Sequence, residues 1–309
     1  MKFAIIGAGG IGGYLAAKLV AAGAEVAVLA RGAHLAAIRD NGLTLREPEG
    51  EVTVRPAIAT DDGAELGVAD VAIFAVKGQD LAAAIEAARP AIGPQTLALP
   101  FLNGVEAPAL LADAFGADRS LIGIARISAF IAGPGVIQVA TPWAEFLIGG
   151  PDGRQDAPRV AEIIGDFRAS GIVAPERQDV RIDLWQKLVF LTALSGTTAA
   201  ARADLGTVRK TPELWALFRR LAEEAASVGR ARGIALADNA VEMAIQTIEK
   251  APDDVRASLA HDLGAGKRLE TDWLNGAVVR LGAEVGVEAP AHATIAALLA
   301  PWREGGGQR

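Results

Sequence analysis

Cysteine is absent from the 309 residues, which excludes disulfides, a thiolate nucleophile and any metal site built on sulfur. Histidine occurs three times, as His34, His261 and His292, scattered and without the carboxylate spacing of a ligand cluster, so no metal is expected. An excess of basic charge is also missing. The net charge of −7 argues against nonspecific nucleic-acid binding, while local basic pockets for an anionic ligand remain open. No apolar run is long enough to span a bilayer, since those around Ile5 and Phe190 are short or broken by polar residues. Met1 runs almost directly into an apolar strand and leaves no room for a signal peptide, so a cytoplasmic location is expected. With 51% hydrophobic residues, the chain can fill the cores of two domains of ordinary size.

What is present organises itself around the first thirty-one residues. The apolar stretch Lys2-Phe3-Ala4-Ile5-Ile6 predicts a buried strand, Gly7-Ala8-Gly9-Gly10-Ile11-Gly12 a glycine turn, and the following apolar-periodic residues a helix to about residue 22. In such a βαβ opening Gly7 permits the tight turn, Gly9 leaves no side chain between backbone and pyrophosphate, and Gly12 lets the helix sit close on the sheet. Gly10 and Ile11 complete the loop, and the helix N-terminus faces the anion. The next strand, residues 25–31, ends in Arg31 rather than in the carboxylate that would receive ribose hydroxyls. An arginine there offers charge-assisted bonds to a 2′-phosphate, so the cofactor read from the sequence is NADP(H).

Further along, a helix is expected over residues 33–41, and a hairpin over 42–56 turning at Pro48-Glu49-Gly50. A third parallel strand at 71–76 ends in Lys77-Gly78, and a fourth at 96–102 ends in Asn103-Gly104. Both polar endings fall where parallel strands deliver residues to a ligand crevice. Residues 120–130, 136–140 and 145–148 predict antiparallel strands closing the sheet, followed by a helix at 155–170 and a last strand at 172–175. From residue 180 the pattern is helical: 182–195, 212–232, 239–250, a segment through Ser258, 270–285 and 290–303. The reading is an α/β chain, a Rossmann-type dinucleotide-binding domain (1–179) followed by an all-helical C-terminal domain (180–309). Residues 305–309 are expected to fray.

Two stretches of the second half stand out, Trp185-Gln186-Lys187-Leu188 and Leu269-Glu270-Thr271-Asp272-Trp273-Leu274-Asn275-Gly276. Together with residues 7–12, Arg31, Lys77 and Asn103-Gly104, in this order and over essentially the whole chain, they resemble the ketopantoate reductase (2-dehydropantoate 2-reductase) family. The resemblance implies NADPH-dependent reduction of ketopantoate to pantoate, on the route to pantothenate and coenzyme A. It implies that Lys187 is the catalytic lysine and Glu270 a glutamate serving cofactor and substrate. Asn103 would stand near nicotinamide and substrate, Lys77 would line the cofactor cleft, Ala129 would lend its backbone beside the nicotinamide, and Ser258 would meet the substrate carboxylate. The substrate would lie between the domains, with Asn103 on one side and Lys187 and Glu270 on the other.

The chemistry is coherent, because hydride addition to a ketone leaves an alkoxide that needs a positioned proton donor. A lysine on an apolar helix can also simply extend to solvent, and Trp185 and Trp273 read as packing. The chain departs from the family where asparagines are expected one and two turns after the lysine: here stand Leu191 and Ser195, with Leu205 at a further polar position. Leucine cannot hydrogen-bond a substrate tail, which opens a second reading, a reductase of a less polar 2-oxo acid. A third, non-enzymatic reading is an NADP(H)-sensing regulator, against which the presence of Lys187 weighs. The helical half carries apolar faces of the kind that bury against another subunit; a homodimer would suit them, and the sequence leaves the number of subunits open.

Overall fold

The computed structural model describes residues 1–306, and the chain divides into two compact units. The first comprises Met1–Leu102 and Ala107–Val180, the second Asn103–Glu106 and Arg181–Arg309. The short segment Asn103–Glu106 thus groups with the helical unit, which the sequence reading, with everything before residue 180 in one domain, did not separate. The reason lies in its contacts. Glu106 pairs with Arg280 at 2.7 Å, and a Cβ on Gly104 would crowd the Trp273 carbonyl at 2.6 Å.

In the first unit the strands are β1 (Lys2–Ile6), β2 (Glu25–Leu29), β3 (Leu43–Glu47), β4 (Gly50–Val54), β5 (Ile58–Thr60), β6 (Val71–Phe74), β7 (Leu97–Pro100), β8 (Ile122–Arg126), β9 (Ala129–Gly133), β10 (Val136–Val139) and β11 (Glu145–Gly149). The helices are α1 (Gly10–Ala21), α2 (Gly32–Asn41), α3 (Leu81–Ala88), α4 (Ala107–Phe115) and α5 (Pro158–Ala169). A five-stranded parallel sheet runs β5-β2-β1-β6-β7. Chain direction across it reverses beside β1, so the crevice that such folds use for ligands opens at the carboxyl end of β1, where the glycine turn lies. Burial on both faces explains why β1 and β6 read as unbroken apolar runs.

Three expectations change here. The later strands close the parallel sheet only in part: β8 and β11 form an antiparallel pair, reached from β7 by a parallel bridge between Ala98 and Ser120, and β9 and β10 join the hairpin in a four-stranded sheet β4-β3-β10-β9. Within that sheet β10 runs parallel to β3, a pairing across some ninety residues that local alternation cannot announce. The strand expected at 172–175 is reduced to one bridge between Val173 and Glu145, and β5, too short to stand out, joins the sheet beside β2. The helix α1 is buried almost all round. A Cβ at Gly12 would strike the Gly7 carbonyl on one side, and one at Gly13 would meet Ile137 of β10 at 2.6 Å on the other.

The second unit holds α6 (Val180–Ala200), α7 (Leu205–Lys210), α8 (Pro212–Ala231), α9 (Ala240–Glu249), α10 (Ser258–Gly264), α11 (Asn275–Glu284) and α12 (Pro290–Leu299). α6 runs a full turn beyond the expected end, and its interior residues Ala193, Leu194 and Ala199 belong to the core of this unit. The helix expected over 270–285 is broken into a 3₁₀ turn, Thr271–Trp273, and α11. Leu205 is a fully buried core residue, so its departure from a polar pattern has a packing explanation. Of the tail, Gly305 and Gly306 are tied down through bonds to Trp302 and Gly266, contrary to the expected fraying, whereas Gly307, Gln308 and Arg309 lie outside the described residues. Among the described residues no helix is long and apolar enough to cross a membrane.

A polar network ties the helices of this unit together. The Asn275 amide, fully buried, donates from Nδ2 to the Thr192 carbonyl at 3.2 Å and to His292 Nδ1 at 3.0 Å. His292 therefore accepts at Nδ1 and donates from Nε2 to the Leu221 carbonyl at 2.9 Å, which only the neutral ring can do. Burial pushes its pKa down to about 4, against the opposing bond to Leu221. A histidine whose folded pKa lies below its ordinary 6.5 favours the folded state fully above pH 6.5, and that contribution is lost as the pH falls towards 4. Melting temperature followed from pH 7 to 4 should drop over this window, and His292→Gln, which does not titrate there, should flatten the drop. An equally steep fall in the variant would assign the acid sensitivity to other groups.

Candidate active site

The glycine turn is built by steric need. Gly7 has φ +98°, a left-handed conformation, and a Cβ there would meet Val76 at 2.7 Å. A Cβ at Gly10 would land on the Ala129 carbonyl, so the start of β9 lies directly against the loop. Gly10 and Ala129, both expected at the cofactor site, are thus linked: the position of one carbonyl requires the other residue to lack a side chain. Gly9 differs: a Cβ there meets nothing within 4 Å. The α1 N-terminus beside it has no side-chain cap and no acidic residue in its first turn. An open approach to uncapped helix amides suits a pyrophosphate, so these residues fit the dinucleotide that the motif implies.

Arg31 is exposed in extended conformation at the N-cap of α2, two residues past the end of β2. Among the described residues its guanidinium has no hydrogen-bond or ion-pair partner. Lys77 follows β6 at the head of a 3₁₀ turn and is half-buried. Both stand at carboxyl ends of parallel strands, where the fold presents residues to a cofactor.

In the second unit, Lys187 lies on α6 two turns from its start, held by the buried Leu184, Trp185 and Leu188. Trp185 packs against α8, where a Cβ on Gly229 would meet its ring at 2.8 Å; its role is packing. Lys187 Nζ donates to Asn103 Oδ1 at 3.1 Å, and Asn103 Nδ2 reaches Glu270 Oε2 at 3.5 Å. The asparagine amide is thus oriented by charge at both ends, its carbonyl towards the ammonium and its NH₂ towards the carboxylate. Glu270 is only 6% exposed, at the head of the 3₁₀ turn that precedes α11. Residues separated by 84 and 167 positions meet in one hydrogen-bonded chain.

The remaining substrate-side residues scatter. Leu191, one turn beyond Lys187 on the same face, is partly exposed. Ser195, a further turn on, is fully buried, and its hydroxyl finds no partner among the described residues. Ser258 is exposed at the start of α10, and among the described residues no hydrogen bond joins it to the Lys187 chain. Two residues that tie the supporting elements together carried no role from the sequence: Asn275, which bonds the Thr192 carbonyl of α6 and His292 of α12, and His34, which bonds the Ala8 carbonyl in the glycine turn and stands three residues after Arg31.

A glycine turn on a doubly wound sheet, followed by a helical unit that holds a lysine, an asparagine and a buried glutamate in one chain, defines a two-domain nicotinamide-dependent oxidoreductase. The sequence model described as "Ketopantoate reductase PanE/ApbA" matches residues 3–153, and that of its C-terminal part matches residues 179–303. The chain belongs to the ketopantoate reductase family and is an NADP-dependent oxidoreductase. It is 34% identical to a 2-dehydropantoate 2-reductase of Mesorhizobium japonicum over 97% of this chain and 96% of that one. It is 31% identical to one of Halobacterium salinarum over 97% and 98%. The solved PanE/ApbA family ketopantoate reductase from Ralstonia eutropha matches with TM-score 0.89 and 31% identity, covering 98% of each chain.

Proposed function

We propose that the protein reduces 2-dehydropantoate to pantoate with NADPH, with Lys187 supplying the proton. The observation that carries this reading is the chain Lys187–Asn103–Glu270, on residues to which the resemblance assigns these roles. The nicotinamide, when bound, supplies the hydride; every other step falls to side chains. As negative charge grows on the carbonyl oxygen, the Lys187 ammonium stabilises it and releases a proton to it. Asn103 holds the ammonium in place through Oδ1. The buried Glu270 carboxylate aligns Asn103 from the other side. The glycine turn and the α1 N-terminus bind the pyrophosphate, Arg31 the 2′-phosphate, and Lys77 adds positive charge beside the cofactor. NADPH oxidation with purified protein tests the reading. Turnover with 2-dehydropantoate supports it, and a protein that binds NADPH but reduces no 2-oxo acid would leave the sensing role.

A second reading is favoured by Leu191, which offers a partly exposed apolar surface where a hydroxyl-bearing tail would want an amide. On this reading the substrate is a 2-oxo acid with an apolar tail. A panel of 2-oxo acids, compared by kcat/KM, separates the two. The preference should move towards 2-dehydropantoate in Leu191→Asn.

Cofactor choice provides a further prediction. Arg31→Ala should weaken NADPH by roughly 1.5–3 kcal/mol, the worth of a hydrogen bond to a charged group, while NADH is nearly unaffected. Titration of both cofactors by fluorescence measures this. Equal losses would remove the phosphate role from Arg31.

A further inference from the structure

His34 is bonded through both ring nitrogens to elements that the sequence keeps far apart. Its Nε2 lies 2.9 Å from the carbonyl of Ala8, inside the glycine turn, and its Nδ1 accepts from Gly135 N–H at 3.0 Å. One neutral tautomer satisfies both, donor at Nε2 and acceptor at Nδ1. Burial lowers the His34 pKa, against the bond to Ala8, which keeps the ring in that neutral form.

Each bond reaches a part of the dinucleotide site. An anion-binding turn must aim its N–H groups inwards and its carbonyls elsewhere, because a carbonyl facing a phosphate is repelled by it. Ala8 is the residue between Gly7 and Gly9, and His34 holds its carbonyl. Gly135 closes the β9–β10 turn at φ +75°, packed on α2, where a Cβ would meet Ala37 at 3.0 Å. β9 begins at Ala129, whose carbonyl lies on Gly10. His34 also stands three residues after Arg31, on the first turns of α2. It therefore braces the pyrophosphate turn against the helix whose N-cap carries Arg31.

We propose that His34 is a positioning residue for the dinucleotide: its bond to the Ala8 carbonyl keeps the glycine turn open to the pyrophosphate and sets the span from that turn to Arg31. The inference rests on the cofactor reading above. It gives no role to His34 in the chemical step.

Conservative variants separate the two bonds. In His34→Gln the side-chain amide reaches about as far as Nε2 and keeps a donor for Ala8. In His34→Asn the carbonyl stands near Nδ1 and keeps only the acceptor for Gly135. NADPH dissociation constants, measured by fluorescence, and kcat at saturating NADPH are determined for both and for His34→Ala, with melting temperature as a check on folding. His34→Asn and His34→Ala should raise the NADPH Kd about fivefold to tenfold, the worth of one well-made hydrogen bond. His34→Gln should stay within about twofold, and kcat should change little in all three. The proposal is overturned if His34→Asn binds NADPH as wild type does, or if the loss falls on kcat with Kd unchanged. Should His34→Ala fail to fold, the Gln and Asn pair decides alone. Wild type that binds no NADPH would sink the cofactor reading together with this one, whereas normal wild-type binding with an indifferent His34 sinks only the latter.

Discussion

Lys187→Ala is expected to lower kcat by about 10² to 10⁴-fold while NADPH binding stays near the wild-type value, because a proton donor acts where charge develops in the transition state. The geometry makes the expectation specific. Lys187 Nζ is already anchored by Asn103 Oδ1 at 3.1 Å, so the ammonium is oriented before a substrate arrives. Asn103→Ala should then cost less than loss of the lysine itself but more than a surface change, through poorer alignment. Lys187→Arg should rescue poorly, since a planar guanidinium cannot take the place of a compact, movable ammonium and gives up no proton. Fluorescence titration of NADPH and absorbance turnover in one sample separate binding from chemistry. Near-normal kcat in Lys187→Ala, on a substrate that wild type demonstrably reduces, would move the proton source to another group.

The largest effect on stability is expected at Glu224, which no motif points to. Its carboxylate, 5% exposed on α8, accepts from the Ala291 amide at 3.1 Å with each oxygen and from the His292 amide at 3.1 Å. α12 opens with Pro290 after an Ala289 N-cap that has no side-chain acceptor. Glu224 is thus the cap of a neighbouring helix, a negative charge against the positive end of its dipole, and Arg220 pairs with it at 3.1 Å from one turn away. Glu224→Ala leaves two inner amides without their acceptor and should destabilise by about 3 kcal/mol, counting bonds to a charged group at the conservative end. For a chain of 309 residues that corresponds to a fall of about 5 °C in Tm. Glu224→Gln keeps an acceptor oxygen and should lose less than half as much. A Tm within a degree of wild type in Glu224→Ala would mean that water or a shifted α12 satisfies those amides.

The sequence by itself determined the opening βαβ unit and its glycine turn, because the demands of a tight turn, a close helix and an anion are all met by consecutive residues, 7 to 12. The helical character of the second half was legible in the same way, from periodicity. Lys187 and Glu270 stood out in two sequence motifs, and the structure joins both to Asn103. Tertiary structure alone decided what depends on distant partners. It moved Asn103–Glu106 into the helical unit, since Asn103 bonds to Lys187 and Glu106 to Arg280, 84 and 174 positions away. It paired β10 with β3 in parallel rather than adding it to the main sheet. It buried Leu205 and Ser195 while leaving Leu191 partly exposed, although Leu191 and Ser195 share one helix face by spacing. It also gave His34, Glu224 and Asn275, polar residues to which the sequence assigned no role, their place as braces and caps of the fold. A side chain's local pattern says which element it favours, but a buried polar group is stable only where a donor or acceptor from elsewhere meets it, and that meeting is set by the packing of whole elements.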